Sequence, residues 1–452
     1  MASKLTVLFK PALLLMAVGI LYFPIFKYGF FQDDFLHLIN TQIPFTGLAR
    51  FFTDNSAIYY RPLGLQLMYW WQQQAFGANP FYFHLVSLAI HLINTFLVYK
   101  LVARVTKNKS VGYISSFLYA TSAIHFISLF WLAETNLLLG ALLLFLNLNL
   151  YLSGRFIVSL ILFALGLLTH EIIIIFPVLA FLFRRPPKVY FFILAGLSIT
   201  YLSLRLFILP IPATGTYTLH FNLGSNFRSL AWYFLWAFNL PEELKYQTSI
   251  FPPSIQPKFL TSFPTYLIIW IIGLITFLLI SLKRMTFTSL AWFIIGISLF
   301  LILPLHQYPM YALIALPGIT LLLARGFLGQ SPFVRGLIIA FWLATSFITL
   351  RFSEMTHWAI QEASRVQRTF TRVKALYPDL PPDSTVIVNQ DYQIQQALFY
   401  ELGLRFLYQD QTLHTSYGRL DTLAPPECKI LLDSHQPYFD CLAKYKLYYL
   451  YF

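Results

Sequence analysis

The sequence predicts an all-α polytopic membrane protein of about 11 transmembrane helices, with a small extracytoplasmic α/β domain at its C-terminal end. Of the 452 residues, 58% are hydrophobic and only 11% are charged, and the mean hydropathy is +0.65. These values are typical of membrane proteins and exclude an ordinary soluble enzyme. Aromatic residues reach 18%, as expected where Tyr and Trp side chains lie at both interfaces of a bilayer.

Apolar runs close to the roughly 20 residues that cross a bilayer recur down to about residue 351. We expect spans at residues 5–26, 81–103, 111–132, 135–152, 156–169, 171–183, 188–208, 263–282, 286–305, 309–324 and 335–351. No small-residue cleavage site clearly follows the first span, so we interpret it as a retained helix. The fifth and sixth spans are short and could form one broken or re-entrant unit, and a helix near 226–240 could lie in the interface.

The cytoplasmic ends of the spans carry basic residues and no Asp or Glu when the N-terminus is placed in the cytoplasm. The cytoplasmic ends of the spans then carry Lys4, Lys10, Lys100, Arg104, Lys107, Lys109, Arg155, Arg184, Arg185, Lys188, Lys283, Arg284, Arg325 and Arg335. Every carboxylate, from Asp33 to Asp440, falls outside or at an outer end of a span. Because cytoplasmic loops retain positive charge, this predicts a multi-pass plasma-membrane protein with a cytoplasmic N-terminus and an extracytoplasmic C-terminus.

The net charge of +13 then reflects this topology and contact with anionic membrane lipids. A nucleic-acid partner is a poor interpretation, because the basic residues are scattered over short loops and form no continuous basic surface.

Three parts of the chain are predicted to face outward: loop 27–80, loop 209–262 and the segment after Arg351. This divides the chain into a transmembrane domain, residues 1–351, and an extracytoplasmic domain, residues 352–452. In the second domain the patterns predict a solvated helix after residue 351, strands at 384–388, 429–432 and 445–452, and a helix at 393–402. Cys428 and Cys441 could form a disulfide if this region is extracytoplasmic, but two cysteines alone leave the pairing open.

Two adjacent aspartates, Asp33 and Asp34, directly follow the first span. Side by side at a membrane surface their carboxylates repel each other, and in a partly dry site one should hold its proton longer. Either could simply cap a helix. Their position against the end of a span, with aromatic residues on both sides, favours acid–base or metal chemistry.

Further acidic residues lie on the same predicted side. Glu134 begins the fourth span, where the helix dipole alone could explain a carboxylate. His170 and Glu171 lie between the fifth and sixth spans, and Glu171 borders the apolar run 172–176. A carboxylate placed there is costly unless it is paired or lines a cavity.

Three cationic candidates lie on that side. Arg61 precedes a proline, Arg205 lies near the outer end of the seventh span, and His306 lies beside Tyr308 on a short loop. Each could reach the lipid headgroups as an isolated side chain, or bind a lipid phosphate, whose oxygens suit a guanidinium fork.

The residues His84, His91 and Asn94 share roughly one face of the second span. Their spacing suits hydrogen bonding between helices better than a metal site.

Several short motifs occur along the first half of the chain. They are Phe31-Gln32-Asp33-Asp34, Phe51-Phe52-Thr53, Tyr59-Tyr60-Arg61-Pro62-Leu63, Phe76-Gly77-Ala78-Asn79-Pro80-Phe81-Tyr82-Phe83-His84-Leu85, His91-Leu92-Ile93-Asn94, Leu168-Thr169-His170-Glu171 and Tyr201-Leu202-Ser203-Leu204-Arg205. Together they resemble the GT-C glycosyltransferases, especially the protein O-mannosyltransferases and the transmembrane mannosyltransferases that carry tetratricopeptide repeats. The resemblance covers about residues 10–210 well and 260–325 loosely.

This resemblance implies that a sugar is transferred, with inversion, from a polyprenyl-phosphate donor to an acceptor hydroxyl on the extracytoplasmic side. Asp33 or Asp34 would then be the catalytic base, and Glu171 the acid of the second motif. No cofactor is certain, although the same three carboxylates could hold a divalent metal. The candidates for binding the donor phosphate are Arg205, His306 and Arg61, and further substrate-site candidates are Glu134, His170 and Tyr308.

Two departures limit what can be carried over from these families. His170 replaces the lysine that is usual at its position, and the C-terminal domain shows no tetratricopeptide pattern. A protein, a lipid or a glycan therefore stays open as the acceptor.

Two functions of other classes are the alternatives. A transporter or flippase of a lipid-linked substrate predicts inverted repeats, paired broken helices and charges at mid-membrane, which the sequence does not show. A non-catalytic membrane scaffold explains neither the aspartate pair nor Glu171.

Overall fold

The computed structural model describes residues 2–53, 60–209, 215–247, 257–282, 286–388, 392–418 and 441–450. The chain is mostly helical, with one small sheet near its C-terminal end. The first helices are α1 (Ala2–Tyr22), α2 (Asp33–Asn40), α3 (Arg50–Thr53), α4 (Met68–Phe76), α5 (Pro80–Thr106), α6 (Lys109–Ala120) and α7 (Phe126–Phe130). The predicted loop 27–80 is therefore largely made of short helices, whose few turns leave little periodic signal in the sequence.

The middle of the chain supplies the rest of the helical bundle. Its helices are α8 (Thr135–Leu152), α9 (Phe156–Leu167), α10 (Phe176–Phe183), α11 (Lys188–Ser203), α12 (Leu223–Trp236), α13 (Glu243–Gln247), α14 (Pro257–Leu282), α15 (Phe287–Leu301), α16 (Leu316–Leu328) and α17 (Pro332–Thr356). α5 packs against α6 and α8, and α16 packs against α6, α14 and α15. These contacts place the largest core between α5, α6, α8 and α16.

Four helices of the described chain are long and apolar enough to cross a membrane: Pro80–Thr106, Leu132–Leu152, Lys188–Ile208 and Pro332–Thr356. The pair Lys109–Ala120 and Ala123–Phe130, bent by 46°, would give a fifth span if counted together. The described chain also has shorter apolar helices of 10–17 residues, several of which coincide with predicted spans. A membrane protein is therefore supported, while the count of about 11 spans and the orientation of the termini stay predictions.

Buried polar groups of α5 join it to its neighbours. The two ring nitrogens of His84 face backbone carbonyls, Nδ1 that of Leu129 at 3.0 Å and Nε2 that of Tyr28 at 3.2 Å. His91 Nε2 lies 3.0 Å from the Ala120 carbonyl. The amide of Asn94 likewise donates to a carbonyl of α8 at 2.9 Å. These contacts confirm that the three residues serve hydrogen bonding between segments of the bundle.

The C-terminal part forms a small α/β unit after α17. It contains α18 (Trp358–Leu376), β1 (Thr385–Val388), α19 (Tyr392–Ala397), α20 (Leu402–Tyr408), β2 (His414–Tyr417) and β3 (Leu447–Leu450). The strand order is β2-β1-β3, and both pairs are parallel, with Thr385 opposite His414 and Leu447. The apolar central strand is buried, as expected for a parallel sheet covered by helices.

Most predictions for this unit are confirmed. The solvated helix, the strand at 384–388 and the last strand are present, and the predicted helix at 393–402 is divided into α19 and α20. β2 was not predicted, because its residues form no apolar run. The predicted strand 429–432 lies outside the described residues. Cys441 is disulfide-bonded. Cys428, the other cysteine of the chain, lies outside the described residues, as the predicted strand does.

Candidate active site

One cavity of about 570 Å³ brings most of the predicted site residues together. It lies where the segment between α1 and α5 meets α11, the ends of α8 and α15, and the start of α18. The predicted residues that line it are Asp33, Arg61, Glu134, Glu171, Arg205, His306 and Tyr308. Asp34 and His170 are not part of its lining, and the structure gives each of them a different place.

The two aspartates have different surroundings although they are adjacent at the start of α2. Asp33 lines the cavity, whereas Asp34 is fully buried. Asp34 Oδ1 accepts a hydrogen bond from the Tyr69 hydroxyl at 2.7 Å, and its Oδ2 accepts one from the Phe31 N–H at 3.0 Å. Asp34 therefore closes the turn before Asp33, and Asp33 is the member of the pair that faces the cavity.

Burial changes the proton affinity of both carboxyl groups. It raises the pKa of Asp33 to about 6. It also raises the pKa of Asp34, to about 7, against the lowering effect of the hydrogen bonds from Phe31 and Tyr69. A carboxylate whose pKa lies close to the operating pH is an efficient general base, so Asp33 has the position and the proton affinity for that role.

His37, which the sequence patterns did not single out, also lines the cavity. It follows Asp33 by one turn of α2, and the i, i+4 spacing puts both side chains on one face of the helix. Burial and the nearby Arg61 lower the pKa of His37 to about 4, so that its ring is neutral at pH 7. That spacing is the sequence signal that could have identified it.

Arg61 and Glu171 form a two-pronged ion pair in the cavity wall. Arg61 Nε donates to Glu171 Oε2 at 2.8 Å, and Nη2 donates to Oε1. The remaining amino group, Nη1, donates to Asn136 Oδ1 at 2.9 Å. Parallel hydrogen bonds of this kind are strong and fix orientation. Arg61 and Glu171 are thus engaged with each other, which favours a structural role over the phosphate clamp and second acid that the sequence suggested.

A close approach of two backbones brings these partners together. The Leu63 N–H donates to the Leu168 carbonyl at 3.1 Å, and a Cβ added at Gly64 would lie 2.1 Å from the Thr169 carbonyl oxygen. Only a glycine leaves room for this contact. It is made within the π-helical segment Pro62–Leu67, which begins directly after Arg61.

His170 serves as a helix cap behind the cavity wall. Its ring is buried, and Nδ1 accepts a hydrogen bond from the Ile172 N–H at 3.2 Å. Burial and Arg61 lower the pKa of His170 to about 3. Although its Nδ1 lies 3.7 Å from Glu171 Oε2, an unprotonated nitrogen that accepts a hydrogen bond forms no ion pair with that carboxylate.

Arg205 is the cavity cation that remains available for a ligand. It lies on the π-helical segment Leu204–Ile208 at the end of α11, half-buried, one turn after Tyr201, which also lines the cavity. Within the described part of the chain its guanidinium makes no hydrogen bond or ion pair. Local π-helical turns often occur at functional sites.

His306 and Tyr308 line the cavity from the segment that follows α15. The His306 ring contacts Tyr217, with 4.3 Å between ring centroids and an angle of 41°, and its Nε2 is 2.7 Å from the Tyr311 hydroxyl. Burial, followed by the charge of Arg61, lowers the pKa of His306 to about 4, so that it offers a phosphate no positive charge at pH 7. Tyr308 is half-buried and lines the cavity.

Glu134 is a third carboxylate in the cavity lining, beside Asp33 and Glu171. It lies within electrostatic range of both of them and of Arg61. Among the described residues, no group of three or more His, Cys, Asp or Glu side chains is arranged to hold a metal ion. The predicted set of Asp33, Asp34 and Glu171 is divided by its hydrogen bonds, since Asp34 and Glu171 are engaged with other partners.

The C-terminal unit holds the turn that carries Asp33. Gln32 has φ 50° and ψ −126°, a strained conformation for a residue with a side chain. Its N–H donates to the Ala397 carbonyl of α19 at 2.8 Å. The Phe406 ring of α20 packs between Phe30 at 5.8 Å and Phe35 at 5.5 Å. We call these contacts the C-terminal latch.

No protein-family model matches the chain, and no curated protein matches it. The resemblance to the GT-C glycosyltransferases therefore stays an interpretation of the motifs.

We expect Gly64→Ala to lower the melting temperature, since the new methyl group would overlap the Thr169 carbonyl and must displace one of the two backbones. Gly196→Ala is the matched control, because nothing lies within 4 Å of a Cβ at that position. A native melting temperature in Gly64→Ala would contradict this account of the cavity wall.

We expect Phe406→Ala to loosen the turn at Gln32 while the bundle stays intact. Hydrogen exchange should accelerate in the peptide that spans residues 30–36, but not in peptides from α5 or α8. Phe406→Leu should restore most of the protection, and Tyr392→Ala, at an exposed position on α19, should change nothing. Unchanged exchange at residues 30–36 in Phe406→Ala would exclude the latch.

Proposed function

We propose that this protein is an inverting membrane glycosyltransferase with a GT-C-like arrangement of about 11 spans. It would move a sugar from a polyprenyl phosphate to an acceptor hydroxyl. The observation that carries the proposal is that one cavity contains a carboxylate suited to act as a base, Asp33, and a cation without a protein partner in the described chain, Arg205. The motif resemblance supports the same reaction.

The lining of the cavity suits a lipid-linked donor. Around the polar groups it has an apolar wall made of Ile174, Leu202, Leu219, Leu299, Phe300, Ile302, Leu303 and Met310. Most of these residues belong to α11, to α15 or to the segments next to them. A prenyl chain packed there would place its phosphate close to Arg205.

The reaction needs one base and a stabilised leaving group. Asp33 takes the proton of the acceptor hydroxyl as the oxygen attacks the anomeric carbon of the donor sugar. The bond between that carbon and the phosphate oxygen breaks, and its electron pair leaves with the polyprenyl phosphate. Arg205 stabilises the charge that collects on this phosphate. A phosphate leaves without protonation, so no second titrating group is required.

The neighbouring residues keep this arrangement in place. The ion pair of Arg61 and Glu171 fixes the wall between the two reacting ends, and Asp34 fixes the turn below Asp33. The neutral ring of His37 can exchange a hydrogen bond with an acceptor hydroxyl without competing for the proton.

The decisive experiment uses the purified protein in lipid nanodiscs with radiolabelled polyprenyl-phosphate hexose. We expect release of polyprenyl phosphate together with sugar transfer to an added acceptor extract. Asp33→Asn should lower the rate by 10²–10⁴-fold, because that is the usual contribution of a general base. Asp379→Asn, an exposed carboxylate in the C-terminal unit, is the matched control. Movement of intact donor across the membrane without cleavage would instead support a flippase.

The pH dependence tests the base separately. Since Asp33 is active when deprotonated, kcat/KM should fall as the pH decreases through about 6, the pKa that burial gives this group. The same acidic limb should be present in the Asp379→Asn control. A rate that stays constant between pH 7 and pH 5 would remove Asp33 from the role of base.

Arg205→Lys should raise the apparent KM for the donor by about tenfold, with the amount of folded protein unchanged. An ammonium keeps the charge but lacks the planar fork that binds two phosphate oxygens. Arg228→Lys, an exposed arginine on α12, is the control. An unchanged donor KM would show that Arg205 merely extends to the lipid headgroups.

A further inference from the structure

Three aromatic rings form a corner of the cavity on the side of Asp33. Trp131 and Trp358 meet edge to face, with 5.3 Å between ring centroids and an interplanar angle of 89°. Tyr308 lies 6.3 Å from Trp358 at 56°. All three line the cavity and are half-buried, so each has surface left to meet a ligand. We call this set the aromatic corner.

Two rings of the aromatic corner, Trp131 and Trp358, each contact a further aromatic ring. Phe31 stacks on Trp131 at 5.6 Å and 24°, and this phenylalanine comes two residues before Asp33. His357 lies behind Trp358 at 5.4 Å, and its Nε2 is held 3.1 Å from the buried carboxylate of Glu242. Rings fixed in this way lose little conformational freedom when a ligand binds.

The aromatic corner lies close to Asp33, the base of the proposed reaction, because Trp131 stacks on Phe31 two residues before it. Burial raises the pKa of Tyr308, and the nearby carboxylates of Glu242, Glu134 and Asp33 raise it further, which places this ring close to the base. Arg205 lies on a different element, the π-helical segment that follows Tyr201 and Leu202 of α11. An attacking hydroxyl must contact the base, whereas the donor phosphate must contact the cation.

We propose that the aromatic corner is the binding subsite for a sugar ring of the acceptor, so that the acceptor is a carbohydrate. This rests on the proposed function. A pyranose ring has an apolar C–H face and a rim of hydroxyl groups. The C–H face of the sugar packs on one indole ring, and the second indole, at a right angle to the first, limits the position of the sugar. The hydroxyl groups of the sugar then lie towards Asp33, Glu134 and His37. A serine or threonine in a peptide has no such face.

Membrane proteins often place tryptophans at the lipid interface. Trp71 is of that kind, 45% exposed and outside the cavity lining. The aromatic corner differs, because its rings come from three distant segments and converge beside a base. Trp71 is therefore the matched control for Trp131 and Trp358.

The test has a binding arm that needs no turnover. Purified full-length protein in nanodiscs is titrated with maltose, cellobiose and mannobiose, and with an acetylated Ser/Thr hexapeptide, while tryptophan fluorescence is recorded. We expect at least one disaccharide to change the fluorescence of the native protein and of Trp71→Phe. The saccharide concentration that gives half of the fluorescence change should rise in Trp131→Ala and Trp358→Ala and stay near the native value in Trp358→Phe. Absence of any saccharide response, or a response to the peptide alone, would overturn the proposal.

The second arm measures transfer from polyprenyl-phosphate hexose to the saccharide that binds. Trp358→Ala should raise the acceptor KM by about tenfold, with the donor KM unchanged, and Trp358→Phe should restore most of the affinity. An acceptor KM that does not respond to Trp358→Ala would overturn the acceptor subsite while leaving the reaction in place. Saccharide binding at the aromatic corner without any transfer would support a carbohydrate site and overturn the proposed reaction.

Discussion

The arrangement of the cavity depends on the contacts of Arg61. Its guanidinium joins three segments of the chain: the stretch before α4, the start of α8 at Asn136, and the junction of α9 and α10 at Glu171. Removing two charges from water is costly, and only good geometry with further hydrogen bonds compensates for it. The fork of Arg61 supplies that geometry.

The same cation lowers the pKa of His37, His170 and His306, for each of which burial is the larger cause. These three histidines are therefore neutral at pH 7 and Arg61 is paired with Glu171, while Asp33, Glu134 and Arg205 also line the cavity.

The sequence predicted the participants of this site better than their roles. Acidic residues after spans are costly without a purpose, and that argument correctly brought Asp33, Glu134 and Glu171 to one cavity. The sequence could not tell which of Asp33 and Asp34 faces the cavity, because adjacency in the chain does not determine where each side chain points. Once α2 is known to begin at Asp33, the two side chains point about 100° apart, while His37 returns to within about 40° of Asp33. The pairing of Arg61 with Glu171 could not be predicted from the sequence either. It depends on a backbone contact at Gly64 between segments more than 100 residues apart in the chain.

The secondary structure was likewise predicted only in part. Long apolar runs located most helices within a few residues, and the strand at 384–388 followed from its β-branched residues. Short helices such as α3 and α13 carry too few turns for a periodic signal, and β2 has no apolar run. Several predicted spans are interrupted by tight or wide turns, among them the 3-10 helix Glu171–Ile175 and the π-helix Leu204–Ile208. A hydropathy average over a whole span does not detect such interruptions. Glu171 and Arg205, which line the cavity, both lie within them.

The C-terminal unit is part of the site and not an appendage to the bundle. It supplies Trp358 to the cavity wall and holds Gln32 through the Ala397 carbonyl. A strained residue persists only where its surroundings impose the conformation, and here the surroundings come from a separate folding element. The direction of the Asp33 side chain is thus set jointly by Asp34 and Tyr69 from within the bundle and by α19 and α20 from outside it. Any displacement of the C-terminal unit must then reach Asp33 through the backbone of Gln32. Because Trp358 and Asp33 line the same cavity, such a displacement would change two parts of its wall together.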